Sequence, residues 1–258
     1  MVDFRDRAVK IRDTILMPLT EAVLFLSFEV RALRYLRFQS FIHYRQGISG
    51  RAISGLRLFY TSTYFMIKAE SADKELALNV LSRSFEDNQS VNFIVRQDKK
   101  KAQRIRALMD YSFELCHEFG EAWLSDDRKA CALVLYPQKK RMSMFAICLD
   151  VKLIFRAIGL SGIRKTLNRE AQVKKIQPKE EMAYLWFIGV DPEHQHRGTG
   201  SKLMKDVIAN ANRNDLPIYL ETSTLKNLSW YEGLGFQIYG QLDLGYIIYF
   251  LKREPDKQ

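Results

Sequence analysis

Cysteine is scarce in this chain. Its 258 residues hold three, Cys116, Cys131 and Cys148, an odd number at wide spacing with no CxxC pair. That argues against a disulfide framework and for a reducing compartment, the cytoplasm, with each thiol a small buried apolar side chain. Histidine is almost as rare. His43, His117, His194 and His196 pair with no Cys, Asp or Glu at a metal-ligand spacing, so no metal is expected. A long clean apolar run is also missing. The nearest, TILMPLTEAVLFLSFEV over residues 14–30, is broken by Pro18 and Glu21, where a membrane span wants about 20 apolar residues. Asp3 and Asp6 dilute the positive end that a signal peptide needs, and no clear small-residue cleavage site follows. Stable membrane insertion is therefore not expected. No zinc finger, aromatic RNA-binding signature or concentrated basic helix points to nucleic acid.

What is present is enough apolar material, 47%, for a sizeable core, and a formal charge of +10 that suits anionic ligands. The chain has two compositions. Residues 1–65 take their positive charge from Arg, with Lys10 the single Lys; after Met66 Lys outnumbers Arg. Three readings stay open for residues 1–65: a helical appendage, an amphipathic membrane-surface piece, or an extension that the working protein lacks. The last is favoured. MIKAESADKELALNVLSRSF has the character of a domain's own beginning, so residues 66–258 are taken as the working domain.

Within that domain strands and helices interleave. A strand over residues 65–69 leads to Ser71 or Asp73 as a helix cap. Residues 98–118 form a long amphipathic helix with Ile105, Leu108, Met109, Phe113 and Leu115 near one face. EAWLSDDRKACALVLYP is a hairpin turning at Asp126–Asp127. Residues 142–160 and 161–176 are two helices parted around Gly159 and Gly162. MAYLWFIGV, residues 182–190, is a buried strand, and residues 198–213 are a helix. PIYLETS is a second buried strand, residues 226–234 a short helix, and FQIYGQ and YIIYFLK the closing strands. The class is α/β or α+β with a mixed sheet.

One stretch carries chemistry: VDPEHQHRGTGSKLM, residues 190–204. A strand, a Gly-bearing turn and a helix N-terminus together can make an anion site, with unpaired N–H groups pointing outward and the macrodipole behind them, whereas two glycines taken alone fit a plain tight turn better. Gly198 and Gly200 let phosphate oxygens approach, Arg197 adds charge, and Thr199 and Ser201 offer hydroxyls. A P-loop fits poorly, because no Lys follows the second Gly in frame. A dinucleotide fingerprint fits poorly too, because Leu203 stands where a third Gly belongs.

Gln195, His196, Arg197, Gly198, Thr199 and Gly200 resemble the [QR]-x-x-G-x-[GA] signature of the GNAT superfamily of acyl-CoA-dependent N-acyltransferases. The downstream YLETSTLKNLSWYEGLGF is similar to that family's N-x-x-x-x-Y-[ED]-x-x-G-F half. QPKE, AWLSDD and LETS together resemble the puromycin N-acetyltransferase branch. The resemblance runs from about Met66 to the chain end. It implies a mostly antiparallel sheet with one splayed strand pair, flanked by helices. It implies acetyl-CoA as co-substrate, its pyrophosphate on residues 195–201 and its pantetheine arm along Ile188, Gly189 and Val190, with Asn227 touching that arm. Tyr231 then stands where a Tyr protonates the leaving thiolate. Glu221 is the candidate base or amine-binding carboxylate, with a salt bridge to a nearby cation as the plainer reading. Trp186 and Trp230 are candidate walls of the acceptor pocket. Thr199 departs from the usual apolar residue, and Gly233 is expected to loosen the Tyr231 helix. The implied acceptor is a primary amine of a small molecule. A peptide or protein amine, and a non-catalytic acyl-CoA binder, stay open, as does a homodimer.

Overall fold

In a computed structural model, residues 66–256 are described. Residues 1–65, whose status the sequence left open, lie outside the described residues. Seven strands make one sheet in the order β1-β2-β3-β4-β5-β7-β6. The strands are β1 (Met66–Lys68), β2 (Gly120–Ser125), β3 (Ala130–Leu135), β4 (Ala183–Val190), β5 (Ile218–Thr222), β6 (Gln237–Asp243) and β7 (Ile247–Arg253). Every neighbouring pair is antiparallel except β4 and β5, which run parallel. This is the mixed, mostly antiparallel sheet that the sequence implied.

Helices cover both faces. α1 (Lys74–Ser84), α2 (Gln89–Ile94), α3 (Lys101–Phe119), α4 (Met144–Leu153) and α5 (Ile163–Ile176) precede β4, and α6 (Thr199–Arg213) and α7 (Leu228–Glu232) follow it. Leu81, Ile105, Met109 and Phe113 join Leu133 and Phe187 in one core cluster. Leu203, Met204 and Val207 of α6 join Leu185, Leu220 and Leu251 in another, on the opposite face. α3 shows the face expected of it: Ile105, Leu108, Met109, Phe113 and Leu115 are all buried.

Four local expectations change. α2 lies in a stretch from which no element was expected. The helix expected over 142–160 is α4 plus a π-helical turn, Ile154–Ile158, ended by Gly159 at φ +73°. Gly233 is the C-cap of α7, with φ −62°, so it ends that helix rather than loosening its interior. Cys148 is exposed, unlike Cys116 and Cys131; apolar residues run all round α4, with only Asp150 and Lys152 charged, so the fold decides which side faces out.

β4 contains one irregularity that sets the two faces. Leu133 pairs with Phe187 but Val134 pairs with Leu185, leaving Trp186 as the extra residue of a bulge. Leu185 and Phe187 therefore face opposite clusters although they are two residues apart. Among the described residues, no helix is long and apolar enough to cross a membrane.

Candidate active site

The β4–β5 ladder holds only three pairs, Ala183 with Ile218, Tyr184 with Tyr219 and Leu185 with Leu220. β4 then runs on to Val190 while β5 stays with β7, so the strands part. Asp191 N–H donates to Lys129 O at 2.8 Å, toward β3. By the two-residue alternation of an antiparallel ladder, the amides of Ile188 and Val190 face the other way, into the gap. The open strand edge therefore comes from these two residues.

Gly189 has another reason to be glycine. A Cβ there would lie 2.8 Å from Ser84 Cβ, so the residue is dictated by the packing of α1. Ser84 Oγ also lies 2.7 Å from Val190 O, and Gln195 Nε2 donates to the same carbonyl at 3.3 Å. The end of β4 is thus tied to α1 and to the turn that follows. Arg83 reinforces that tie by donating to Asp191 at 2.8 Å and Glu193 at 2.7 Å.

The turn itself is exposed from Gln195 to Gly198. His196 takes φ +61° and Gly198 φ +83°, both left-handed. Gly198 is the N-cap of α6 and no side chain caps that helix. Lys202 N–H donates to Gly198 O, so the N–H groups of Thr199, Gly200 and Ser201 precede the helical ladder. A Cβ at Gly198 would meet nothing within 4 Å, which leaves the space over the helix end clear for an anion. Gly200 differs: a Cβ there would sit 3.0 Å from Val190 Cγ2, so it lets the helix seat against β4. Arg197 makes no ion pair among the described residues. Thr199 Oγ1 donates to Asp127 at 3.4 Å, which gives its hydroxyl a place facing the β2–β3 turn.

Tyr231 is buried against Trp230 and Phe236, with ring centroids 4.7 and 5.7 Å away. Burial pushes its phenol pKa up, so the hydroxyl keeps its proton. Trp230 Nε1 donates to Ser201 Oγ at 2.9 Å, joining α7 to the first turn of α6. Asn227 is the half-buried N-cap of α7.

Glu221 stands on the opposite face of the sheet from α6. Gln177 Nε2 donates to it at 2.7 Å and Arg169 Nη2 lies 3.6 Å away. Burial pushes the Glu221 carboxyl above its ordinary value, and the Arg169 guanidinium opposes that push. Trp186 lies on this face, with Tyr111 6.0 Å from it. Trp230 lies on the other face, so the two tryptophans do not wall one pocket. Arg83, Ser84, Asp127 and Arg169 were missed because they act from elements distant in sequence. Only the DD of the hairpin was a visible signal.

The family model of the acetyltransferase (GNAT) domain matches residues 156–238, from the π-turn through α5, β4, α6, β5 and α7 into β6. Solved structures give the same architecture. One is a histone acetyltransferase HPA2 and related acetyltransferase from Corynebacterium glutamicum, at 19% identity and TM-score 0.54, covering 75% of this chain and 97% of that one. Another is arylalkylamine N-acetyltransferase 2 from Aedes aegypti, at 11% identity and TM-score 0.52, covering 74% and 98%. A third is the C-terminal condensation domain of Ebony in complex with beta-alanyl-dopamine, at 7% identity and TM-score 0.54, covering 73% and 97%. The described domain has the fold of the GNAT acetyltransferases, and its matched segment holds the parted strands and the glycine turn of an acyltransferase.

Proposed function

We propose that this protein transfers an acetyl group from acetyl-CoA to a primary amine of a small molecule, by direct attack of the amine in a ternary complex. The observation that carries the reading is the coincidence of an open β4 edge and an anion cradle. The β4–β5 ladder stops at Leu185, and five residues later the same strand feeds the Gly198 turn. A pyrophosphate on the N–H groups of Thr199, Gly200 and Ser201, with Arg197 beside it, lets the pantetheine arm run along Ile188 and Val190.

The roles follow from chemistry. The Val190 N–H polarises the thioester carbonyl and holds the oxyanion that forms on attack. Tyr231, whose burial keeps its proton, delivers that proton to the leaving thiolate. Glu221, on the sheet face opposite α6, takes the amine's charge or its proton. Asn227 contacts the arm from the start of α7.

The small-molecule acceptor rests on the resemblance of Gln177–Glu180, the hairpin and residues 220–236 to the puromycin N-acetyltransferase branch. The Aedes aegypti arylalkylamine N-acetyltransferase, named for a small amine, shares the fold.

The test is thermal unfolding of the full chain with and without acetyl-CoA. A ligand at a hundred times its dissociation constant stabilises by about 2.7 kcal/mol. The expected result is an upward shift that Gly198→Glu abolishes, followed by CoA release in a screen of small primary amines. No shift for the wild-type chain would remove the reading.

A further inference from the structure

Nine large apolar side chains are exposed among the described residues, and five of them, Met142, Met144, Phe145, Phe155 and Leu160, fall between residues 142 and 160. Their exposures run from 43% for Phe145 to 70% for Met142. They form a strip along one side of α4 and its continuation. Ala146, Leu149 and Leu153 pack inward, while Met144, Phe145, Cys148 and Phe155 recur at helical spacing on the outside. The π-turn then ends at Gly159, whose φ of +73° turns the chain and leaves Leu160 68% exposed. An apolar strip of this length on a water-facing helix marks an interaction surface.

The charge around the strip states what kind. Residues 139–165 hold seven Lys or Arg and one acid, Asp150, a net of +6 within the stretch, of which Lys152 is paired with Asp110 of α3 at 2.5 Å. Asp150 is 7% exposed and accepts from Tyr111 Oη at 2.7 Å, so it faces the core. Arg141, Arg156 and Arg164 make no ion pair among the described residues. Lys139 and Lys165 lie over the rings of Tyr136 and Phe93.

We propose that this strip docks the protein peripherally on an anionic lipid bilayer, with Phe145, Phe155 and Leu160 entering the headgroup boundary and the flanking arginines meeting lipid phosphates. A second copy of the chain fits badly, because a two-fold contact across the strip would set the same cations against one another. A bilayer is fluid and accepts a convex strip without a matching groove. The strip shares no residue with the Gly198 turn or with Tyr231, so the docking proposal does not rest on acetyl transfer.

Cys148 gives a direct readout. It is the exposed thiol, and Cys116 and Cys131 are both 0% exposed. The full chain labelled there with a polarity-sensitive maleimide dye is mixed with vesicles of phosphatidylcholine alone, or with an equal part of phosphatidylglycerol. A blue shift and vesicle flotation are expected with the anionic lipid, both weakened by salt. Arg141→Glu with Arg156→Glu removes two cations, each worth roughly fivefold in binding. Phe145→Ser with Phe155→Ser lowers binding by more than about tenfold. All these residues are exposed, so thermal stability is expected to hold. Flotation at the wild-type level in both double variants, or flotation with a silent dye, overturns the proposal by assigning binding to another segment. A shift that appears with protein concentration alone assigns the strip to a second copy. A shift with poly-glutamate but not with anionic vesicles assigns it to an acidic protein.

Discussion

Trp230 donates through its indole N–H to Ser201 Oγ at 2.9 Å, so the helix that carries Tyr231 is fastened to the first turn of the helix that closes the anion cradle. The proposed cofactor seat and the proposed proton donor are thereby one mechanical unit. Trp230→Phe keeps most of the packing and removes the bond, which is worth about 1 kcal/mol. The expected result is a several-fold rise in KM for acetyl-CoA with a smaller change in kcat, read from initial rates.

Tyr231→Phe separates chemistry from packing. The ring contacts with Trp230 and Phe236 remain, and no hydrogen bond of the Tyr231 hydroxyl is present among the described residues. Unfolding free energy is expected to change by less than about 1 kcal/mol, while kcat falls by roughly a hundredfold or more, as for loss of a general acid. A variant that unfolds early with unchanged kcat would make the tyrosine a packing residue.

Gly198→Ala tests the turn. An alanine meets no atom there, so the effect comes from φ +83° alone, about 1 kcal/mol of lost stability. Calorimetry with and without acetyl-CoA is expected to show that small loss and a retained but smaller ligand shift. Gly198→Glu loses the ligand shift altogether.

Gly189 and Ser84 form a coupled pair. Gly189→Ala brings a Cβ to 2.8 Å from Ser84 Cβ, which overpacks the joint by about 1–3 kcal/mol. Ser84→Gly removes the obstructing atom. A double-mutant cycle by urea unfolding is expected to show the second change recovering most of the loss from the first.

Glu221 carries a pH signature. Its folded pKa lies above the ordinary 4.5 because burial outweighs Arg169, so the folded state holds the proton more tightly than the unfolded chain. Stability contributed by the protonated form is complete below 4.5 and is lost as pH rises through the raised folded value. Urea unfolding of wild type and Glu221→Gln, at 4.5 and near neutrality, is expected to show the variant gaining relative stability as pH rises.

Much of this was visible in the residues. The apolar run of β4, the glycines after it and the amphipathic face of α6 are local signals, and they place strand, turn and helix without knowledge of neighbours. Other features were hidden for physical reasons. Two partners of Glu221, Arg169 and Gln177, come from α5 and its C-cap, and nothing local to PIYLETS points to either. Gly189 reads from sequence as part of the pantetheine strand, whereas its missing side chain answers to Ser84 on α1. Apolar residues run all round α4 and its one acid, Asp150, is buried, so its exposed face and Cys148 on it could not be told from its buried face. The π-turn was hidden because its widened backbone leaves no mark in hydrophobic spacing.

The extra residue in β4 makes that strand intolerant of length changes in a way its neighbours are not. Ala183, Tyr184 and Leu185 hold their orientation because Trp186 takes up one step that β3 does not match. Excising Trp186 would therefore be no local trim. It would invert the first half of the strand, sending Leu185 toward α3 and Tyr184 toward α6, and so take Tyr184 away from its hydrogen bond with Glu221. The strand is a sentence with a comma in it: delete that one mark, and everything before it changes sense while everything after reads the same.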